Sequence, residues 1–560
     1  MPTQEDSKRK NIERSNASHA PGERGRTPEK HHSKMALALF AVLLASTFAL
    51  ALIYSGGPSY MGDDVAYAFF AHRAMLGQFA QASGDILSIR IMQIYPIAFF
   101  YALLGVNSIS SQMWDVLAFL GTIAVTFFIG SELYNDYAGL IGAFLLALSP
   151  IAGVIATTMS DNVPLMFFAS LGMLGILYGE RSRSGKWYFV SGASFVAASL
   201  VMPEGMIAFA VAVLYLVVQA ARKKTKLRPL AGFAVGLAVT LLLTVAFNYL
   251  NAQNPLITFT STFDFYQQAN TTFAPANGYL GFYPSVMFPY NLVALLARSA
   301  SAGASGPLLV WNGIAGNSSN VAGLLFYLLL PAAAYLLLRK ERRVYFLLFW
   351  VVVGFLLLEF DPFHVSLFPF AYSLQHRLDR YLTLIAPAVA LLISFALVKL
   401  VENKKGARKC ALAAFSALVL LLVAYTSLGI LSHWHYLNLY ERYDQVAIAG
   451  YLGALPNTTQ IYYLNGFAFT EIYMQFANAS RFQVYDQVQN CSRIPAGAYV
   501  LMPKNEQVFG IPFTPNPTKY CPSWQMVYAP EMSNESSEYW SSAAPSEVVL
   551  YYVPKMGAPS

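Results

Sequence analysis

Apolar residues in this chain come in runs of bilayer length, and that pattern limits what it can fold into more than any other feature. The first run, Met35 to Ile53, is about 19 residues. A helix needs ~20 residues, at a rise of 1.5 Å each, to cross the hydrocarbon of a bilayer. Further runs lie near 112–130, 138–157, 163–179, 187–201, 206–221, 229–247, 321–338, 343–358, 381–400 and 410–431. The chain is 56% hydrophobic and only 12% charged, so its polar residues are too few to cover these runs and lipid must do so. The pattern predicts a polytopic α-helical membrane protein of about eleven spans, integral to the membrane and multi-pass. The first run is longer than a secretory h-region and lacks a small-residue cleavage site, which predicts a retained helix.

The formal net charge of +7 raises the question of nucleic acid, but Lys and Arg sit in short clusters between the runs rather than along one face. Membrane orientation explains them better, so no nucleic-acid partner is expected. Residues 1–34 are basic and almost free of bulky apolar side chains, which predicts a disordered cytoplasmic tail. With the N-terminus inside, four of the five inside connections are basic: Arg181/Arg183/Lys186, Arg222–Arg228, Arg339–Arg343 and Lys404–Lys409. The exception is the acidic turn Glu132–Asp136. The segments 55–111, 248–320, 359–380 and 432–560 then lie outside, and six N-x-S/T triplets, from Asn270 to Asn534, fall within them, while a seventh, at Asn16, lies in the tail. A cell membrane is the expected location.

Residues 35–431 are thus read as a transmembrane domain whose first outside loop is 55–111, and 432–560 as an extracytoplasmic domain. In the latter a helix-like stretch, Tyr443 to Leu455, precedes β-type runs at Gln460–Leu464, Phe482–Tyr485, Ala498–Met502, Gln525–Tyr528 and Val548–Val553. A helical segment, Phe469–Ala477, separates the first two, which predicts a small α/β domain. Three cysteines exclude a disulfide framework; only Cys491 and Cys521, both in this polar part, are placed to pair.

Candidate chemistry gathers on the outer side. The first outside loop opens with Gly62-Asp63-Asp64-Val65-Ala66-Tyr67, which puts two adjacent carboxylates at the membrane surface. Mutual repulsion favours keeping a proton on one of them, and such a carboxylate can take a proton from a hydroxyl. The alternative is that Asp63 and Asp64 simply complement the dipole of the helix that follows. Val65 to Ala80 reads as an interfacial helix, and Ile91 to Leu104, with Pro96 inside, as too short to span. Asp161 stands between the third and fourth spans, either capping a helix or lining a wet cavity. Glu204 reads as a turn residue. Arg377 and Arg380, in Gln375-His376-Arg377-Leu378-Asp379-Arg380-Tyr381, oppose the positive-inside bias, and guanidinium groups pair well with a lipid phosphate. Snorkelling or a bridge to Asp379 is the plainer reading. His364 and His376 leave a divalent metal open, although no H-E-x-x-H spacing is present, and no other cofactor is implied.

These residues resemble the GT-C superfamily of membrane glycosyltransferases, in particular the branch of protein O-mannosyltransferases and the lipid A aminoarabinose transferase. That branch carries an acidic pair followed by Tyr in the first outside loop, which Asp63-Asp64-Val65-Ala66-Tyr67 matches with Asp in place of Glu. It often has an acid after the third span, as at Asp161, and an Arg-Tyr with Pro six residues later, as in Arg380-Tyr381 and Pro387. The resemblance covers roughly residues 35–400. It implies an inverting, mannosyltransferase-like enzyme that takes a monosaccharide from a polyprenyl- or dolichyl-phosphate donor to a hydroxyl of a protein, glycan or lipid acceptor. It also implies Asp63, Asp64 and Asp161 as catalytic groups and Tyr67, His376, Arg377, Arg380 and Tyr381 as substrate-binding ones.

Two other classes compete. A transporter or lipid flippase would hold charges or broken helices at mid-membrane, whereas these spans hold almost no charge. A non-catalytic scaffold that binds a partner through its C-terminal part is the third reading.

Overall fold

The computed structural model describes residues 33–54, 63–82, 85–222, 227–272, 282–287, 324–360, 365–367, 370–372, 379–402, 404–441, 451–452, 454–456, 458–464, 482–485, 494–503, 507–508, 511–512, 521, 523–528 and 548–554. Most of the expected helix Tyr443–Leu455 and all of Phe469–Ala477, together with His364, His376, Arg377 and Cys491, lie outside them.

Helices dominate. In chain order they are α1 (Lys34–Ile53), α2 (Asp63–Met75), α3 (Ile91–Leu104), α4 (Ser108–Leu133), α5 (Asp136–Ala147), α6 (Pro150–Ala156), α7 (Asn162–Ser182) and α8 (Gly185–Val201). There follow α9 (Gly205–Ala221), α10 (Leu227–Ala252), α11 (Ile257–Thr272), α12 (Phe282–Met287), α13 (Leu325–Leu338), α14 (Tyr345–Phe360), α15 (Ala386–Val401) and α16 (Gly406–Glu441). Local signals set several starts. Asn107 and Ser110 form a reciprocal capping box at α4, and Asn135 accepts from the backbone N–H of Ala138 at α5. Pro150 opens α6, where its missing N–H costs nothing.

Among the described residues six helices are long and apolar enough to cross a membrane, and seven crossings result if α5 and α6, bent by 61° at Leu148–Ser149, count as one. The sequence runs suggested about eleven. The difference lies in apolar helices of 14 to 17 residues, such as α9, α13 and α15, which fall short of the ~20 that hydrocarbon requires. A second difference concerns charge. Asp115, fully buried on α4, accepts a hydrogen bond from Gln93 Nε2 at 3.3 Å, and Glu359 is buried on α14. The spans therefore hold more charge than their hydropathy suggests.

Close backbone approach replaces bulky packing where α8 meets α10. A Cβ on Gly192 would lie 2.2 Å from the Phe233 carbonyl oxygen, and one on Gly236 would lie 2.2 Å from that of Phe189. Small residues at such a crossing let two helices gain dispersion contacts that lipid does not supply.

Helices α4 and α7 pack against each other, Gln112 near the start of α4 bonds to Thr157 on the approach to α7, and Glu132 meets Arg181 near their other ends, so their ends define two faces of the bundle. At the C-terminal ends Arg181 pairs with Glu132, and Ser33 N–H donates to Asp136 Oδ2 at 2.7 Å. Lys399 Nζ lies 3.1 Å from both Glu341 and Glu402, and Tyr134 OH donates to Glu402 Oε2 at 2.5 Å. The acidic turn that broke the expected basic pattern thus takes its counter-charge from the next connection at this face.

Beyond α16 lies a five-stranded mixed sheet in the order β2-β1-β3-β5-β4, built from Ile461–Leu464 (β1), Phe482–Tyr485 (β2), Tyr499–Pro503 (β3), Gln525–Tyr528 (β4) and Val548–Tyr552 (β5). Strand β1 is parallel to β2 and β3, and β5 is antiparallel to β3 and β4. Each strand falls on a β-type run of the sequence. Cys521, just before β4, is disulfide-bonded, and Cys410 is free.

Candidate active site

At the opposite face of the bundle five helices begin close together, and each start carries a residue of one cluster. Asp63 opens α2 and Arg90 immediately precedes α3; Asp161 and Glu204 immediately precede α7 and α9. Arg380 and Tyr381 sit in the 3₁₀ turn Asp379–Leu384 that leads into α15. The unsatisfied N–H groups of helix starts carry partial positive charge, so this face suits anions, whether side chains or ligand.

The α2 helix lies on α3 through a small apolar core of Tyr67, Ala71, Phe79, Ile94, Ile97 and Tyr101, joined by Met159 from the approach to α7. That core places Tyr67 and Arg90 together. Tyr67 is fully buried, and its hydroxyl donates to Asp161 Oδ2 at 2.9 Å. The Arg90 guanidinium pairs with the same carboxylate, donates to the Tyr67 oxygen and stands 5.7 Å from the Tyr67 ring centroid. Asn162 Nδ2 donates to the other Asp161 oxygen at 3.0 Å. Asp161 makes no hydrogen bond to the N–H groups of its own helix, so capping does not explain it. It is sealed, with its side chain 1% exposed.

Asp63 is the open member, 39% exposed. Its Oδ2 lies 3.4 Å from Arg380 and 3.8 Å from Arg90, so two guanidinium groups flank one accessible carboxylate. The Asp63–Arg380 pair joins residues 317 apart in sequence. Asp64 follows in the first turn of α2, and its side chain is outside the described residues. A place in that turn also lets Asp63 complement the helix dipole, one of the two readings the sequence offered.

Charge and burial set the protonation states. Burial, opposed by Arg90 and reinforced by Asp161, holds the Tyr67 hydroxyl well above its ordinary range, so it stays a donor. Burial pulls the Arg90 guanidinium down, but Tyr67, Asp161, Asp63 and Glu204 overcome it and raise it well above its usual value. Arg380 follows the same pattern, its burial outweighed by Asp161, Tyr381, Asp63 and Tyr67. Burial raises the Glu204 carboxyl, against the charge of Arg90 and a hydrogen bond from Tyr381.

The structure thus unites Asp63, Tyr67, Asp161, Arg380 and Tyr381 of the residues singled out in the sequence. It adds two that were passed over. Arg90 carried a signal: like Arg380 it is a positive charge on a loop expected outside, against the positive-inside bias, one residue before an apolar run. Glu204, read as a turn residue, had no local signal separating it from one. Among the described residues no group of three or more His, Cys, Asp or Glu is placed to hold a metal ion.

Residues 91–248 match the family model described as dolichyl-phosphate-mannose-protein mannosyltransferase, a stretch that includes Asp161 and Glu204. No curated protein matches the chain. Among solved structures, ArnT from Cupriavidus metallidurans in the apo state aligns with a TM-score of 0.56 at 16% identity, over 92% of this chain and 97% of that one. The same protein bound to undecaprenyl phosphate aligns with a TM-score of 0.56 at 14% identity, over 94% and 99%. The oligosaccharyltransferase AglB of Archaeoglobus fulgidus, in complex with an inhibitory peptide and a dolichol-phosphate, gives 0.50 at 12% identity, over 84% and 70%. At such identities the likeness is one of fold, and that fold is the one the GT-C membrane glycosyltransferases share, as the sequence resemblance implied.

Proposed function

We propose that the chain is an inverting glycosyltransferase that moves a monosaccharide from a polyprenyl- or dolichyl-phosphate donor to an acceptor hydroxyl at the outer membrane face. The observation that carries this reading is the accessible Asp63 carboxylate flanked by Arg380 and Arg90 at a face where five helices begin. The undecaprenyl phosphate on one structural neighbour and the dolichol-phosphate on another support a lipid-phosphate donor. The family match over 91–248 favours mannose among monosaccharides.

In this reading Asp63, with Asp64 beside it in sequence, takes the proton of the acceptor hydroxyl. The acceptor oxygen bonds to the anomeric carbon from the side opposite the phosphate. The bond from that carbon to the phosphate oxygen breaks, and its electron pair stays on the departing lipid phosphate. Arg380 meets the charge developing there, as electrostatic stabilisation requires, with Arg377 as a second candidate. Asp161 is sealed beneath Arg90 and Tyr67, so its part is to fix that arginine and tyrosine rather than to touch the acceptor. Tyr67 serves from within the fold in the same way. His376 and Tyr381 complete the proposed donor side. Residues 35–431 form the catalytic membrane domain in this scheme, with the tail 1–34 inside and 432–560 outside, where acceptors arrive.

Purified protein given polyprenyl-phosphate-linked, isotope-labelled sugars tests the proposal. Wild type is expected to transfer label and Asp63→Asn to lose most of it. Transfer by wild type that persists in full in both Asp63→Asn and Asp64→Asn removes this site from the chemistry.

A further inference from the structure

Helix α4 carries buried polar side chains of two kinds. Thr122 and Thr126 are satisfied within the helix, each hydroxyl donating to a backbone oxygen one turn back, that of Ala118 and of Thr122, at 2.8 Å. Gln112 and Asp115 reach outward instead. They stand three residues apart near the start of the helix, so they share one side of it, and both are buried. Each meets a segment that carries one member of the Arg90–Asp161 pair.

Gln112 Nε2 donates to the Thr157 oxygen at 2.7 Å, on the connection that runs from α6 to Asp161. Met159, between Thr157 and Asp161, is buried in the small core of α2 and α3, which seats that connection along its length. Asp115 Oδ1 accepts from Gln93 Nε2 at 3.3 Å, and the backbone N–H of Gln93 donates in turn to the Arg90 oxygen at 2.9 Å. The Arg90–Asp161 ion pair joins the two arms. The contacts therefore close a ring, from α4 through Thr157 to Asp161, across to Arg90, and back through Gln93 to α4. In such a network the members support one another, so loosening one arm frees the two charges to part.

We propose that Gln112 and Asp115 are positioning residues: by holding the Asp161 segment and the Arg90 turn to one side of α4, they set the Arg90–Asp161 pair and, through it, the charge that stands 3.8 Å from Asp63. The bearing of that charge on sugar transfer rests on the proposed transferase reading, whereas the ring of contacts does not.

The test uses full-length protein in detergent with four variants: Q112M, D115L, D115N and Y101F. Q112M keeps the length of the side chain and removes the donor, D115L removes the acceptor, and D115N keeps an acceptor oxygen for Gln93. Y101F breaks the 2.9 Å hydrogen bond between Tyr101 and Ser111, which joins α3 to α4 outside the ring. Hydrogen exchange is read at Gln93 and Ile94, whose N–H groups bond the Arg90 oxygen, and at Val163 and Leu165, which bond the oxygens of Ser160 and Asp161. D115L is expected to quicken the first pair about tenfold, the scale of losing one hydrogen bond, and the second about threefold across the ring. Q112M should do the converse, and D115N and Y101F should stay within about twofold of wild type at both. With a polyprenyl-phosphate-linked sugar, kcat should fall about tenfold in Q112M and D115L while KM for the donor changes less than about threefold. Exchange that quickens only on the mutated side overturns the proposal, as does D115N as impaired as D115L, or Y101F with the same effect across the ring. Quickened exchange with unchanged kcat overturns the positioning role. Should D115L fail to fold, Q112M decides alone by the same two readings. Absence of transfer by wild type defeats the transferase reading, and the exchange arm still judges the ring.

Discussion

The two faces of the helix bundle both gather acids, bases and a tyrosine, yet they use them in opposite ways. At the face of the C-terminal ends of α4 and α7, Arg181–Glu132 and Lys399 with Glu341 and Glu402 are ion pairs with substantial exposure. Such pairs contribute little, because water already solvates both partners. At the face of the helix starts, Asp161 and the Arg90 side chain are 1% and 8% exposed, and Asp63 and Arg380 reach the surface beside them. There the charges have given up water and depend on one another. Similar residue types therefore make a peripheral lattice at one face and an interdependent constellation at the other. Burial sets the difference.

The largest effect should separate the faces by chemistry. Asp63→Asn is expected to lower the rate of sugar transfer by about 10² to 10⁴, the usual worth of a positioned base, whereas Glu132→Gln should leave it within about twofold. Comparable rates for the two variants would break the contrast. Stability should separate them next. Arg90→Met strands a buried Asp161 charge and should cost about 3–5 kcal/mol, while Arg181→Met should cost at most about 1 kcal/mol. Thermal unfolding in detergent reads both, and adding Asp161→Asn to Arg90→Met should restore much of the loss.

Between the faces, Gly192→Val sets side-chain atoms against the Phe233 carbonyl and should destabilise by about 1–3 kcal/mol without a specific defect in transfer once the protein is folded. A variant of normal stability would mean that α8 and α10 have room to part. The smallest effect is expected at Lys399→Ala, below about 1 kcal/mol and shrinking further as salt is added. A larger or salt-independent loss would show that this face is less water-exposed than its ion pairs imply.

What could be read from the sequence followed from whether a residue's role is local. The helices α1, α3 and α4 announce themselves through apolar runs and caps, and the strands from Ile461 to Tyr552 through short β-type runs. The expected interfacial helix Val65–Ala80 forms as Asp63–Met75, closed early where Gly77 adopts φ +69°. Arg380 stood out because positive charge on an expected outer loop demands a reason, and Asp63 as one of two adjacent carboxylates. That they meet across 317 residues follows only from the tertiary arrangement, which brings the start of α2 to the turn before α15. Asp161 was equivocal for the same reason, since an acid before a helix looks like a cap until Tyr67 and Arg90 arrive from elsewhere. Asp115 was hidden by its neighbours, because one carboxylate in an apolar run barely alters the average hydropathy.

The bend between α5 and α6 makes segment length itself a carrier of information. Ala147 and Asp161 are joined by the kink at Leu148–Ser149, the short α6 and the turn at Ser160, and all seven residues of α6 are buried. A residue inserted into α6 would advance everything after it by about 1.5 Å and turn it by about 100°. That rotation would carry the Asp161 carboxylate away from Arg90 without changing a single residue of the site. Here the number of residues is as much a part of the site as their identity.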